Sequence, residues 1–503
     1  MSYHVYPVQP WEAEHRGYTV RINGQPAALN TARVSAMPFN RRWPGHQRDI
    51  AQSELANFLS LETDEPLRFE ITPAEPFEKV EIRPRKLGIV PEVGEDGVIR
   101  FTLEKPAYFA VEPYGRHNAL HIFADAPAAY DVDIHGENVI YFGKGVHDVG
   151  MIRLESNQTL FLDEGAVVYG CVHAEDADNI RILGRGILDN SRNKAQILFE
   201  ANAEHNDAAI KNAKRIHTVQ LQYCTNVEID GITIRDSLVY NIRPIACENL
   251  KIRNVKIIGC WRFNSDGIDM HNCVNVTIDN CFLRTFDDCL CIKGFDCYYA
   301  GDVEEAVRKA MYRNGKAYDV FKNVRVSNCV LWNDWGKCLE IGAETRAEEM
   351  CDILFTDCQV IHATGPVLDC ANVDYADVHD VTYRNIDVEF DDPVPAPVLQ
   401  RTDDQVYESP DPDYSPRLIN VYVQFHHEYS AGGNRRGKNR RIRFENVRLY
   451  GRQKPRLACS GYDSEHGVTD VTVKGCYVND IPLSQVPCEL VTNEFTQNIR
   501  IED

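Results

Sequence analysis

Two short stretches of this 503-residue chain gather acids at a spacing that can do chemistry: FNSDGIDMHN (Phe263 to Asn272) and FDDCLCIKG (Phe286 to Gly294). Asp266 and Asp287 stand 21 residues apart, Asp288 is alongside, and neither motif contains an arginine. If the chain returns on itself at about that period, the three carboxylates become neighbours and their repulsion raises at least one pKa. Hydrolysis of a glycosidic bond needs such a group: one carboxylic acid protonates the leaving oxygen while one or two carboxylates activate water. Inversion places the two roles about 6.5–9.5 Å apart, a span that two stacked coils can provide. The same oxygens would also suit a calcium site or a plain Asp-rich turn ladder. The residues alone leave these three readings open.

The elements that must position these acids are legible as a repeat. An asparagine followed by an alternating apolar strand, a turn and a second strand recurs as NIRILGRGIL from Asn179, NVEIDGITI from Asn226 and NLKIRNVKI from Asn249. It returns as NVTIDNCFL from Asn275, NVRVSNCVL from Asn323, DILFTDCQV from Asp352 and DVTYRNIDV from Asp380. β-Branched repeats of 20–30 residues predict a right-handed parallel β-helix, an all-β solenoid in which each coil pairs with the next about 4.8 Å away. The repeated Asn is expected at a turn, in the left-handed region that it tolerates. Ahead of the solenoid, YTVRING, PLRFEIT, KVEIRP, GVIRFTL, YFAVEPY and NALHIFA predict a β-sandwich. The expected division is residues 1–128 for the sandwich, with a supporting role, and 129–503 for the solenoid. Two segments interrupt the repeat: about 296–318, where VEEAVRKAMYRNG predicts a short helix, and about 391–441, rich in Pro, Asp, Gly and Arg. Both are candidates to wall a cleft.

Composition narrows the function classes. With 44% hydrophobic and 26% charged residues the chain is an ordinary folded protein, and a net charge of −21 argues against nucleic-acid partners. No apolar run approaches the length of a membrane span, and the N-terminus shows no basic and apolar leader, so a cytoplasmic location is expected, or secretion if a leader is missing. The 17 cysteines are an odd number without CxxC spacing, which fits reduced thiols rather than a zinc site. No cofactor or metal is assigned. The expected partner is a carbohydrate, and self-association remains possible.

NSDGID followed by DDCLCIKG resembles the NTDG and DDC motifs of the polygalacturonase-like enzymes of glycoside hydrolase family 28. The sandwich ahead of the solenoid is also similar to the related family 49 dextranases. The resemblance covers about Asn138 to Phe390. It implies an inverting glycoside hydrolase in which Asp287 is the general acid, while Asp266 and Asp288 hold and deprotonate the water. The sequence departs from the pectinases at two places. Lys337, in GKCLEIG, stands where their GHG motif carries histidine, and Asp369, in GPVLD, stands near the position of the uronate-gripping RIK signature. An acid there repels a galacturonate, so a neutral substrate is expected.

Strand alternation extends the site. In Ile268-Asp-Met270, Leu290-Cys-Ile292 and Leu339-Glu-Ile341 the apolar residues suit the interior, which turns Asp269, Cys291 and Glu340 outward on one sheet. Asp369 aligns more roughly with them, and His271 and Lys293 occupy the next outward positions. The expected substrate-binding groove is thus lined by Asp269, His271, Lys293, Lys337, Glu340 and Asp369, with Trp335 as the sugar-stacking candidate. Asp287 and Asp288 cannot share a face of a regular strand, so a turn or bulge between them is expected. Three competing functions remain: a true polygalacturonase, a calcium-dependent polysaccharide lyase using Lys293 or Lys337 as base, and a non-catalytic carbohydrate-binding solenoid.

Overall fold

The computed structural model describes residues 3–10, 15–36, 39–40, 50–193, 216–295, 309, 311–399, 413–426, 429–430 and 435–503. From Val139 onward the chain winds as a parallel β-helix whose strands form one continuous 31-strand ladder. Through its central coils each strand pairs with the one three places further along the ladder, so the ladder there has three faces. The first face contains Ile242–Ile245, Ile268–His271, Leu290–Lys293, Leu339–Ile341, Leu368–Asn372 and Ile419–Val423. The second carries the Asn-initiated strands, such as Val274–Asp279 and Glu349–Thr356. The third contains Lys256–Ile258, Phe282–Thr285, Val330–Asn333 and Gln359–His362.

Alternation explains the interior. Val227, Leu250, Val276, Val324, Ile353, Val381 and Ile442 fall in register, coil upon coil, and all are buried. Aromatic rings stack in the same way: Tyr383 lies 4.8 Å from Phe355 and 4.9 Å from Phe444. The repeated asparagines do sit in the left-handed region, at φ 56° to 59° for Asn226, Asn249, Asn275 and Asn323. They also do something alternation does not show: each Nδ2 donates to the Oδ1 of the Asn one coil earlier, at 2.7–3.0 Å from Asn226 to Asn323.

The cysteines follow the same logic. Cys224, Cys273, Cys281, Cys329 and Cys358 each follow a left-handed residue directly, point inward and donate to the carbonyl two residues back at 3.3–3.5 Å. All the described cysteines are free. A small, weakly polar thiol fits inside a tight turn and satisfies a carbonyl there.

All six strands expected in the N-terminal region form, within two sheets that enclose a core including Val20, Phe69, Phe101, Phe109 and Ile122. The last sandwich strand ends at Asp125 and the first solenoid strand begins at Val139. The sandwich packs on the third face, where Phe58, Tyr108 and Phe123 meet Ile258, Phe282, Val330 and Trp332. Buried ion pairs join the two parts. Lys256 Nζ lies 3.2 Å from Asp125, and Arg83 bonds Glu389 at 3.1 Å.

Most of the expected helix over 303–315 lies outside the described residues; Lys309 and Met311 are helical, and the following residues form an antiparallel hairpin, Tyr312–Arg313 with Lys316–Ala317. One expectation needs correction. The stretch 391–441 is not one loop. It contains the solenoid strand Ile419–Val423 and the start of Lys438–Tyr450. Five alternating residues flanked by Pro-, Asp- and Arg-rich connectors were too short a signal against that background.

Candidate active site

The first face and the turns that lead into it carry the expected site. Asp266, in the turn before Ile268–His271, and Asp287 and Asp288, in the turn before Leu290–Lys293, come together from adjacent coils. One oxygen of each lies within 4.8 Å of the others.

Each acid is held by local chemistry. The Asp287 carbonyl accepts from Thr285 Oγ1 at 2.6 Å and from Asn333 Nδ2 at 2.7 Å, so the turn that separates Asp287 from Asp288 is fixed by the third face. Asp288 Oδ1 accepts the backbone N–H of Lys337 at 2.9 Å. That contact requires glycine beforehand, because a Cβ on Gly336 would stand 2.6 Å from the Asp288 backbone nitrogen and Oδ1. Gly267 is required in the same way, by the Cys289 carbonyl.

The floor has the predicted register: Asp269 beside Cys291, Cys291 beside Glu340, Glu340 beside Asp369, and His271 beside Lys293. All six are buried. Lys293 Nζ lies 2.8 Å from Asp269 and 3.7 Å from both Asp266 and Glu344. Lys337 Nζ bonds Glu340 and lies 3.5 Å from Asp369. Cys291 Sγ donates to Glu340 Oε2 at 3.1 Å, and Asn420 Nδ2 donates to Asp369 Oδ1 at 2.7 Å.

Electrostatics separates the acids. Burial, reinforced by Asp269 and Asp287, holds Asp266 well above the ordinary carboxylate range. Burial and then Asp288 push Asp287 up to about 8, against the pull of Lys293 and Lys337. Burial also raises Asp288, but Lys337, Lys293 and hydrogen bonds with Glu340 and the Lys337 backbone together bring it below its ordinary value. The cluster thus contains a proton holder, Asp287, next to a carboxylate that stays ionised, Asp288.

Some expected residues have supporting places. Both ring nitrogens of His271 are engaged: Nδ1 with the Gly294 carbonyl at 2.9 Å, and Nε2 with Arg243 Nε at 3.2 Å. Burial, then Arg243 and Lys293, keep this imidazole neutral. Trp335 stacks one face on Phe286 at 5.9 Å, and its Nε1 has no hydrogen bond among the described residues. Trp332, three residues before it, is buried against His121 and His362 beneath the sandwich.

Sequence reasoning missed Arg243, Tyr240, Glu344 and Asn420. Arg243 is buried one coil before Asp269, donates to His271 and lies 3.0 Å from His217 Nε2. The alternation that identified Asp269 finds it when carried back to Ile242-Arg-Pro-Ile245. Carried forward to Ile419-Asn-Val421, it finds Asn420.

Known proteins resemble this chain in sequence and in fold. The family model described as glycosyl hydrolases family 28 matches residues 145–399, half of the chain. A polygalacturonase of Gossypium barbadense is 24% identical over 234 residues, 44% of this chain and 53% of that protein. A probable polygalacturonase of Vitis vinifera is 31% identical over 133 residues, 26% of this chain and 24% of that one. The match thus spans about half the length of the first of these relatives. Among solved structures, Dex49A from Penicillium minioluteum superposes with a TM-score of 0.55 at 15% identity, covering 99% of this chain and 90% of that one. That likeness extends to the fold of both parts of the molecule.

Proposed function

The chain belongs to glycosyl hydrolases family 28, and from that membership we propose that it hydrolyses a glycosidic bond in a neutral oligo- or polysaccharide, of the dextran- or glucan-like class, with inversion. In this reading Asp287 gives its proton to the glycosidic oxygen as the bond to the anomeric carbon breaks. Asp288 takes a proton from the water whose oxygen bonds that carbon, and Asp266 orients the water. Inversion rests on the family and on the paired acids available to one water.

The observation that carries the neutral-substrate reading is the pairing of both floor lysines with floor acids. Lys337 bonds Glu340 with Asp369 at 3.5 Å, and Lys293 lies 2.8 Å from Asp269. A uronate carboxylate would have to displace those acids and then face them. The same pairings count against a lyase, because both lysines are held well above their ordinary pKa by buried carboxylates and make poor proton acceptors. A polygalacturonase reading is favoured by one feature, the Arg243 guanidinium on the same floor, held by two imidazoles.

The test is a proton NMR time course on neutral oligosaccharides with oligogalacturonate included, and Asp287→Asn as control. Cleavage of a neutral member, with the inverted anomer appearing first and a loss of at least about 10²-fold in the variant, supports the proposal. Cleavage of oligogalacturonate alone transfers the substrate assignment to the Arg243 reading. Retention of the anomer overturns the mechanism.

A further inference from the structure

On the second face, away from the carboxylate floor, Glu349–Thr356 and Asp377–Glu389 run side by side in parallel register, Glu349 beside Asp377 and Cys351 beside His379. Met350 is buried, so the alternation turns Glu349 and Cys351 outward together, two residues apart on one edge. The register then brings His379 of the next coil against the thiol. A carboxylate oxygen of Glu349, the sulfur of Cys351 and a ring nitrogen of His379 all lie within 4.8 Å of one another.

The imidazole is oriented from both sides. Its Nε2 lies 2.9 Å from Glu349 Oε1, and its Nδ1 lies 2.8 Å from Asp380 Oδ2. Arg441 fixes Asp380 through two bonds of 2.8 and 2.7 Å and also approaches His379 Nδ1 at 3.1 Å. Arg440, in register with His379, is engaged by Asp377 at 2.9 Å through each of two bonds. The nearby guanidinium groups are therefore matched by Asp377 and Asp380. Glu349, Cys351 and His379 are left as one oxygen, one sulfur and one nitrogen donor around a common point.

An imidazole whose far nitrogen is held by a carboxylate, together with a thiol and a second carboxylate, is the ligand chemistry of a zinc-class ion and its supporting shell. A simple ion pair would need only the histidine and its two acids. The Cys351 thiol, hydrogen-bonded with Glu349, adds a soft donor, and sulfur and imidazole together select zinc, cobalt or nickel over calcium and magnesium. We propose that Glu349, Cys351 and His379 bind a divalent zinc-class ion that staples two successive coils, with Asp380 as the positioning residue for the imidazole. Three protein donors leave the fourth tetrahedral position for water. The site lies on a different face from Asp266, Asp287 and Asp288, and it is independent of the hydrolytic reading.

The experiment is a titration of the full-length, chelator-treated protein with Co²⁺, followed by its visible spectrum, and a thermal melt with and without Zn²⁺. The expected result is tetrahedral cobalt bands with a thiolate-to-cobalt charge-transfer band, all displaced by Zn²⁺, and a Zn²⁺-dependent rise in melting temperature. Cys351→Ser should abolish the charge-transfer band, His379→Gln should weaken binding more than tenfold, and Asp380→Asn should weaken it by about 10–100-fold. Circular dichroism of each variant establishes that the solenoid is intact, and Cys351→Ala provides a second sulfur-free variant. Absence of the charge-transfer band in the wild-type protein overturns the proposal. So does a band that persists in Cys351→Ser and Cys351→Ala, because the sulfur would then come from another cysteine.

Discussion

At the scale of single residues, proton placement within the acid cluster decides activity. Asp287 at about 8 keeps its proton through neutrality, so turnover should fall as pH rises through that value. Asp288, held below its ordinary value, supplies the base until pH falls far enough to protonate it. Lys337 lowers both carboxyls, so removing its charge should raise both. Lys337→Met is therefore expected to move the alkaline and acid limbs of the kcat/KM profile to higher pH together, measured on whichever substrate the NMR panel identifies. A profile that loses height without moving would mean that Lys337 only binds sugar. Its pairing with Glu340 places a permanent cation, rather than a group that titrates near neutrality, beside the acids.

At the scale of elements, the coils are held by turn chemistry as much as by the apolar columns. Asn249 combines a left-handed backbone at φ 56° with two ladder bonds, donating to Asn226 at 2.9 Å and accepting from Asn275 at 3.0 Å. Asn249→Ala loses both bonds and keeps a Cβ in the left-handed region without the polar side chain that lets Asn tolerate it, a conformation that costs an ordinary residue about 1–2 kcal/mol. Asn249→Gly loses the bonds but relieves the backbone. Urea denaturation should therefore rank wild type above glycine and glycine above alanine. Equal stability of the two variants would show that the ladder bonds dominate. The thiols that follow left-handed residues do related work from the inside, each satisfying a carbonyl where the chain bends.

At the scale of the whole molecule, the sandwich braces the face that feeds the turns carrying the acid cluster. Phe282 packs against Phe123 at 5.1 Å, and its strand ends at Thr285, whose hydroxyl holds the Asp287 carbonyl. Asp125 anchors this junction, with Lys256 Nζ and Arg185 Nη1 each 3.2 Å away and the Tyr108 hydroxyl donating to it. Replacing one partner of a buried ion pair strands the other, typically at a cost of about 3–5 kcal/mol. Asp125→Asn should therefore lower stability by that order and lower activity with it, seen as a shift of the urea midpoint for the sandwich and solenoid signals together. Separate transitions in the wild-type protein would mean that the two parts fold independently and the brace is weak.

The sequence by itself determined the solenoid, the sandwich, the pairing of Asp266 with Asp287 and Asp288, and the floor column Asp269, Cys291, Glu340 and Asp369. These follow from periodicity, because a parallel coil places residues one repeat apart in register and alternation assigns each to the inside or the outside. Only the tertiary structure decided what those outward residues bond. It paired Lys337 with Glu340, gave both His271 nitrogens to Gly294 and Arg243, and set Trp335 on Phe286. It also returned the chain after a long connector to place Asn420 beside Asp369. Side-chain partnership depends on distance and burial in three dimensions, and a one-dimensional repeat specifies the rung and the face but not the bond.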